Sequence, residues 1–222
     1  MVFWENPRDL RRALSLYVIP DRVIGAPLSL EEQTRLALEG GATAIQLRDK
    51  AMNGGELLAA ARRIACLCAE NGALFIVNDR LDVALLSGAD GIHLGQSDLP
   101  PVEVRGLIDP IRAGGRPFIV GVSARTAREA GQAEKDGADY LGVGAVFGTG
   151  SKDDVKIIGL DGLREVRMAT NLPCVAIGGI TLENLPEVMD TGVDGVSVIS
   201  AAVRGDVKLR TAALKARLDS SV

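Results

Sequence analysis

SGADGIHL, residues 87–94, has three near-copies in the chain: GGATAIQL at 40–47, DGADYLGV at 136–143 and TGVDGVSV at 191–198. Each has a glycine in second place (Gly41, Gly88, Gly137, Gly192), then two short residues, then an apolar run. Glycine accepts the left-handed backbone that ends a helix, and the residues after it turn the chain into a strand. Apolar runs of strand length recur throughout: LYVI (16–19), AIQL (44–47), LFIV (74–77), GIHL (91–94), FIVGV (118–122), YLGVGAV (140–146), CVAIG (174–178) and GVSVI (195–199). Segments with helical spacing separate them, among them LEEQTRLALEG, GELLAAARRIACLCAENG, ARTAREAGQAEKDG and TLENLPEVMDTG. The repeat precedes every second run, so each copy marks a pair of strand–helix units, a quarter of a closed ring. Eight such units in 222 residues, with no Pro/Gly/Ser-rich linker, predict a single (β/α)8 TIM barrel over 1–222. A short N-terminal extension precedes the first strand at about residue 16. An open doubly wound sheet alternates in the same way and is the structural alternative.

Composition agrees with that architecture and narrows the partners. Hydrophobic residues are 47% of the chain against 24% charged, enough for a large core. Aromatics are only 3%, so Ala, Val, Leu and Ile do the packing, as buried parallel strands favour. The net charge of −4, with no basic cluster interleaved with aromatics, argues against nucleic acid as a partner. The segment MVFWENPRDLRRAL is charged throughout and does not read as a signal peptide, and no apolar run reaches the ~18 residues of a membrane span. A soluble cytoplasmic protein with small-molecule ligands and no membrane contact is expected, and a homodimer is compatible with the chain. Cys66 and Cys68 point to different helix faces, and one histidine with no CxxC pattern leaves a cysteine-based zinc site without ligands. Three buried, reduced thiols are expected.

In a barrel of this kind the active site lies at the C-terminal ends of the strands, so the residues that follow each run are the candidates. QLRDK follows the second: Gln46, Arg48 and Lys50 alternate with Leu47 and Asp49, and in an extended segment the three point one way. An amide, a guanidinium and an ammonium together suit an anion attached to a polar ring. Asn78 and Asp79 end the third strand, and Gln96, Ser97 and Asp98 follow the fourth. Each aspartate alone reads as a turn or cap residue. At adjacent strand ends the pair suits magnesium, which takes one or two carboxylates plus water and phosphate oxygens. Ser123 stands at the fifth mouth, where Ser123 or Thr126 caps the next helix. With no histidine expected nearby, Ser123 is a poor nucleophile, and His93 reads as a strand-buried ring. The sixth strand runs into VFGTGSKDD, whose Thr149, Ser151 and Lys152 offer hydroxyls and an ammonium among glycines, without P-loop spacing. The seventh and eighth strands end in IGGIT and VISAA, where Gly178, Gly179 and Ser200 suit a phosphate between the last two loops.

QLRDK, VNDRLDVALLSGADGIHLGQSDLP, GVSA, GADYLGVGAVFGTGSK, AIGGI and VISA together resemble the thiamine-phosphate synthase family, in family order from residue 16 to about 203. The resemblance implies a barrel and a magnesium-dependent transferase of thiamine biosynthesis. Its substrates are 4-amino-2-methyl-5-hydroxymethylpyrimidine diphosphate and thiazole phosphate, and its products are thiamine phosphate and diphosphate. Carried over by motif, Gln46, Arg48, Lys50, Asn78, Ser123 and Lys152 contact the pyrimidine diphosphate, with Asp49 in the same binding segment. Arg48, Lys50, Ser123 and Lys152 are the implied catalytic groups. Asp79 and Asp98 hold the magnesium, and Thr149, Gly150, Ser151, Gly179, Ile199 and Ser200 contact the thiazole phosphate. The chain departs from the family pattern in its phosphate loop, where Gly148 replaces a proline and Ser151 a threonine, and at Arg125, where a histidine is usual. Thiazole tautomerase relatives use that histidine for proton transfer, and an always-charged arginine is a poor substitute. A tautomerase-like paralogue, a sugar-phosphate isomerase or epimerase, and a non-catalytic regulator binding thiamine precursors are the alternatives.

Overall fold

The computed structural model describes residues 7–111, 117–148 and 156–220. Among them eight parallel strands close a barrel in chain order: β1 (Leu16–Val18), β2 (Ala44–Leu47), β3 (Leu74–Asn78), β4 (Gly91–Leu94), β5 (Ile119–Ala124), β6 (Tyr140–Val143), β7 (Cys174–Ile177) and β8 (Gly195–Val198). β8 pairs with β1, Leu16 opposite Val196 and Val18 opposite Val198, which rules out the open sheet. A helix α1 (Pro7–Ala13) precedes β1. The outer layer is α2 (Leu30–Glu39), α3 (Gly54–Asn71), α4 (Leu81–Ser87), α5 (Pro101–Ile111), α6 (Ala127–Lys135), α7 (Gly159–Met168), α8 (Leu185–Met189), the short α9 (Ser200–Val203) and α10 (Val207–Asp219). No helix of the described residues is long and apolar enough to cross a membrane.

Alternation along the strands divides the core in two. Leu16, Val18, Ile45, Leu47, Phe75 and Val77 pack outward against the helices. Tyr17, Ala44, Leu74, Ile76, Ile119, Tyr140 and Val175 fill the barrel interior. This is the period-2 consequence of a strand covered on both faces.

The four-fold repeat has a second physical basis beyond its glycines. Gly41, Gly88, Gly137 and Gly192 all adopt left-handed φ (95°, 74°, 87° and 84°), as expected of helix-ending glycines. The polar residue two places later then caps the preceding odd-numbered strand. Thr43 Oγ1 accepts from Leu16 N at 2.9 Å, Asp90 Oδ2 from Phe75 N at 2.8 Å, Asp139 Oδ2 from Val120 N at 2.7 Å, and Asp194 Oδ2 from Cys174 N at 2.8 Å. Each copy thus ties two strands together at the end opposite the predicted site.

Several local expectations shift. Thr126, not Ser123, caps α6, accepting from Glu129 N at 3.1 Å. The 181–192 segment holds only a five-residue helix, because Thr181 and Asn184 close a turn before Pro186 enters at its start. The sixth strand stops at Val143 rather than 146, and Val146 N instead reaches Ile177 O at 2.9 Å. Cys68 and Cys174 are buried, but Cys66 is exposed, because it lies on the outer face of α3.

Candidate active site

The mouth is built where β2, β3 and β4 end. Leu47 closes β2, and Asp49 then bends the chain, its Oδ1 accepting from Ala51 N (2.8 Å) and Met52 N (3.0 Å). The turn ends the extended segment at Asp49, and burial falls off along QLRDK: Gln46 is buried, Arg48 half-buried and Lys50 exposed. Asp49 also pairs with Arg22 from the loop after β1, at 3.0 Å. Its two roles are structural ones visible only in the fold.

Asp79 follows β3 with φ 59°, the one positive value among the described non-glycine residues. Aspartate tolerates this region better than bulkier side chains do. The bend lets Asp79 N continue the ladder to His93 O at 2.9 Å. Asp98 closes a tight turn after β4, with Oδ2 accepting from Gly95 N at 2.7 Å. A Cβ on Gly95 would sit 2.7 Å from that oxygen, so a larger residue there would push the Asp98 carboxyl aside.

The two carboxyls meet. Burial, then a hydrogen bond with Asp98 and the Asp98 charge, push the Asp79 carboxyl up to about 6, while Lys50 and Arg48 pull it down. Lys50 Nζ lies 3.9 Å from Asp79 Oδ2. Two half-buried acids and two cations thus share one mouth. Among the described residues no third His, Cys, Asp or Glu joins them. Two hard oxygen ligands that repel when both are ionised fit a magnesium ion that completes its shell with water and phosphate oxygens. They do not make a zinc site.

A polar chain crosses the barrel interior below this cluster. Gln46 Nε2 donates to Tyr17 Oη (2.8 Å), and Tyr17 Oη lies 3.1 Å from Tyr140 Oη. Tyr140 Oη lies 3.0 Å from His93 Nδ1, and His93 Nε2 lies 3.0 Å from Ser123 Oγ. His93 thus stands beside Ser123, where the sequence leads us to expect no histidine. His93 pairs in register with Gly121 of β5, two residues before Ser123, and the barrel brings the two side chains together. Glycines make the room. A Cβ on Gly121 would fall 2.1 Å from the Tyr140 ring, and one on Gly142 2.8 Å from the His93 ring. Inward-facing glycines opposite aromatic or imidazole residues were the signal in the sequence.

At the far side of the mouth, Gly178 and Gly179 have φ of 101° and 66°. A Cβ on Gly179 would meet Gly148 O and Phe147 Cβ, each at 2.7 Å, so the loop after β7 lies against the loop after β6. Ile199 and Ser200 open α9, with Ser200 exposed. Thr149, Gly150, Ser151 and Lys152 lie outside the described residues.

Comparison with known proteins gives one consistent result. Residues 16–202 match the family model described as thiamine monophosphate synthase. The chain is 54% identical over 195 residues to a thiamine-phosphate synthase of Coprothermobacter proteolyticus, covering 88% of this chain and 90% of the relative. It is 47% identical over 208 residues to one of Pyrococcus horikoshii, covering 93% and 96%. A solved thiamine phosphate pyrophosphorylase from Pyrococcus furiosus superimposes with a TM-score of 0.87 at 43% identity, over 96% of this chain and 99% of that one.

Proposed function

We propose, for a chain that belongs to the thiamine monophosphate synthase family, that it joins the pyrimidine and thiazole halves of thiamine phosphate. The substrates are 4-amino-2-methyl-5-hydroxymethylpyrimidine diphosphate and thiazole phosphate. The thiazole nitrogen donates its lone pair to the pyrimidine methylene carbon as the carbon–oxygen bond to diphosphate breaks. The bonding pair leaves with the diphosphate, and positive charge appears on the thiazolium ring. No side-chain nucleophile is needed, in keeping with a site that holds charges rather than an activated serine or cysteine.

The observation that carries this reading is the meeting of Arg48, Lys50, Asp79 and Asp98 at one mouth. Arg48 and Lys50, with Lys152, neutralise the diphosphate and so favour its departure. Asp79 and Asp98 would hold magnesium, which when bound supplies Lewis-acid neutralisation of diphosphate charge. Gln46 and Asn78 orient the aminopyrimidine, and Ser123 reaches the diphosphate. Thr149, Gly150, Ser151, Gly179, Ile199 and Ser200 take the thiazole phosphate, at the end of the barrel where the loops after β6 and β7 approach each other. Holding both substrates in line supplies the entropic part of the rate.

The test is product formation by the purified protein. Thiamine phosphate and diphosphate should appear in equal amounts only with both precursors and magnesium. Tight binding of both precursors without product would replace this reading with that of a regulator.

A further inference from the structure

The buried chain from Gln46 to Ser123 has a direction. Both Tyr17 and Tyr140 are buried, and burial pushes both phenols well up, so each carries its single proton at neutral pH. Gln46 Nε2 can only donate, and it faces Tyr17 Oη. The Tyr17 proton then turns to Tyr140, and the Tyr140 proton to His93 Nδ1. With Nδ1 accepting, the imidazole carries its hydrogen on Nε2 and donates it to Ser123 Oγ. Ser123 Oγ is thereby an acceptor toward the barrel, and its own hydrogen is directed to the mouth. The reverse order fails at Tyr17. A hydrogen on His93 Nδ1 would turn the Tyr140 proton toward Tyr17, which would face two donors while holding a proton of its own. In a closed interior such an unmatched group is costly.

We propose that this chain is a polarity relay in which the Gln46 amide sets the direction of every hydrogen through Tyr17, Tyr140 and His93, making Ser123 an obligatory donor to the diphosphate. A ring amino group bound at Gln46 Oε1 holds the amide in the orientation that the relay needs. Recognition of the aminopyrimidine is thus coupled to the hydrogen bond its leaving group receives on the other side of the barrel. Tyr17, Tyr140 and His93 are positioning residues. This inference rests on the synthase reading for the ligands at its two ends, but not for its internal order.

The chain has one histidine, so nitrogen-15 labelling of histidine gives a single, unambiguous NMR signature. The ligand-free protein at neutral pH should show a neutral ring protonated at Nε2. An Nδ1–H tautomer or an imidazolium would overturn the relay. Gln46→Met removes the donor and keeps the length of the side chain, so the direction is released and the ring should become a mixture of tautomers. An unchanged Nε2–H signal there would show that Gln46 does not set the direction. If that variant fails to fold, Tyr140→Phe removes the donor to Nδ1 and should give a mixture of tautomers. A pure Nε2–H signal in that variant also overturns the proposal. In the same variant, kcat/KM for the pyrimidine diphosphate should fall about tenfold or more, the size expected for a misdirected hydrogen bond to a charged group. Affinity for thiazole phosphate should hold. The tautomer is read without substrate, so a failed relay and a failed synthase assay are separate results.

Discussion

Asp79 carries a carboxyl that the mouth perturbs strongly. Its carboxyl sits at about 6, against the ordinary 3.8, because it is half-buried beside Asp98. The sign follows from the raised value. Between about pH 4 and pH 6 the folded protein holds a proton that the unfolded chain has lost, so metal-free stability falls as pH rises through that window. Magnesium needs the ionised form, so its affinity should climb up to about pH 6 and level off above. Titration of magnesium binding across that range checks this, and a flat profile would remove Asp79 from the shell. Asp79→Ala and Asp98→Ala should each lose most activity at limiting magnesium while keeping the native circular dichroism spectrum. Full activity in both would end the metal assignment. Either acid in the sequence reads as a loop residue. Asp98 does close its turn, so its local reading holds, and the proposed metal role would use the same side chain.

At the scale of the element, the repeat that marks the even-numbered strands is a stabilising device. Asp90, Asp139 and Asp194 each accept from a backbone N–H of the preceding odd-numbered strand, and Thr43 does so with a hydroxyl. Asp90→Ala would leave the buried Phe75 N–H unmatched, which costs about 1–3 kcal/mol. For a chain of this size each kcal/mol lowers Tm by about 2–4 °C. Calorimetry should therefore show a drop of several degrees, with kcat unchanged, because the contact lies at the opposite end of the barrel from the mouth. Loss of activity in the folded variant would mean that the two ends are coupled. The glycine, the short residue and the strand were legible as a pattern. The cap was not, since its partner lies 15 to 27 residues upstream and is met only when the strands align.

Over the whole molecule, closure decides which strand ends become neighbours. On the proposed reading, magnesium and the pyrimidine diphosphate would bind only the folded mouth, so together they should stabilise the protein. At a hundredfold excess over Kd the gain is about 2.7 kcal/mol, or roughly 5–10 °C in Tm. Chelation should return Tm to its metal-free value, and Asp79→Ala should abolish the magnesium-dependent part. A magnesium effect that persists in that variant would place the ion elsewhere.

The sequence by itself determined the barrel, because eight apolar runs, their helical spacers and the glycine repeat are all local patterns that obey backbone geometry. It also placed the strand ends closely, the sixth excepted, where β6 stops at Val143 short of the apolar run's end. The turn at Asp49 was not legible in the sequence, and there hydrogen bonds from Ala51 N and Met52 N end the extended conformation. Only the tertiary structure decided that Asp79 and Asp98 meet at one mouth, and that His93 reaches Ser123 through a core where Gly121 and Gly142 leave space. Those contacts join residues 19 and 30 positions apart on different strands, and strand closure sets their distance where local propensity is silent.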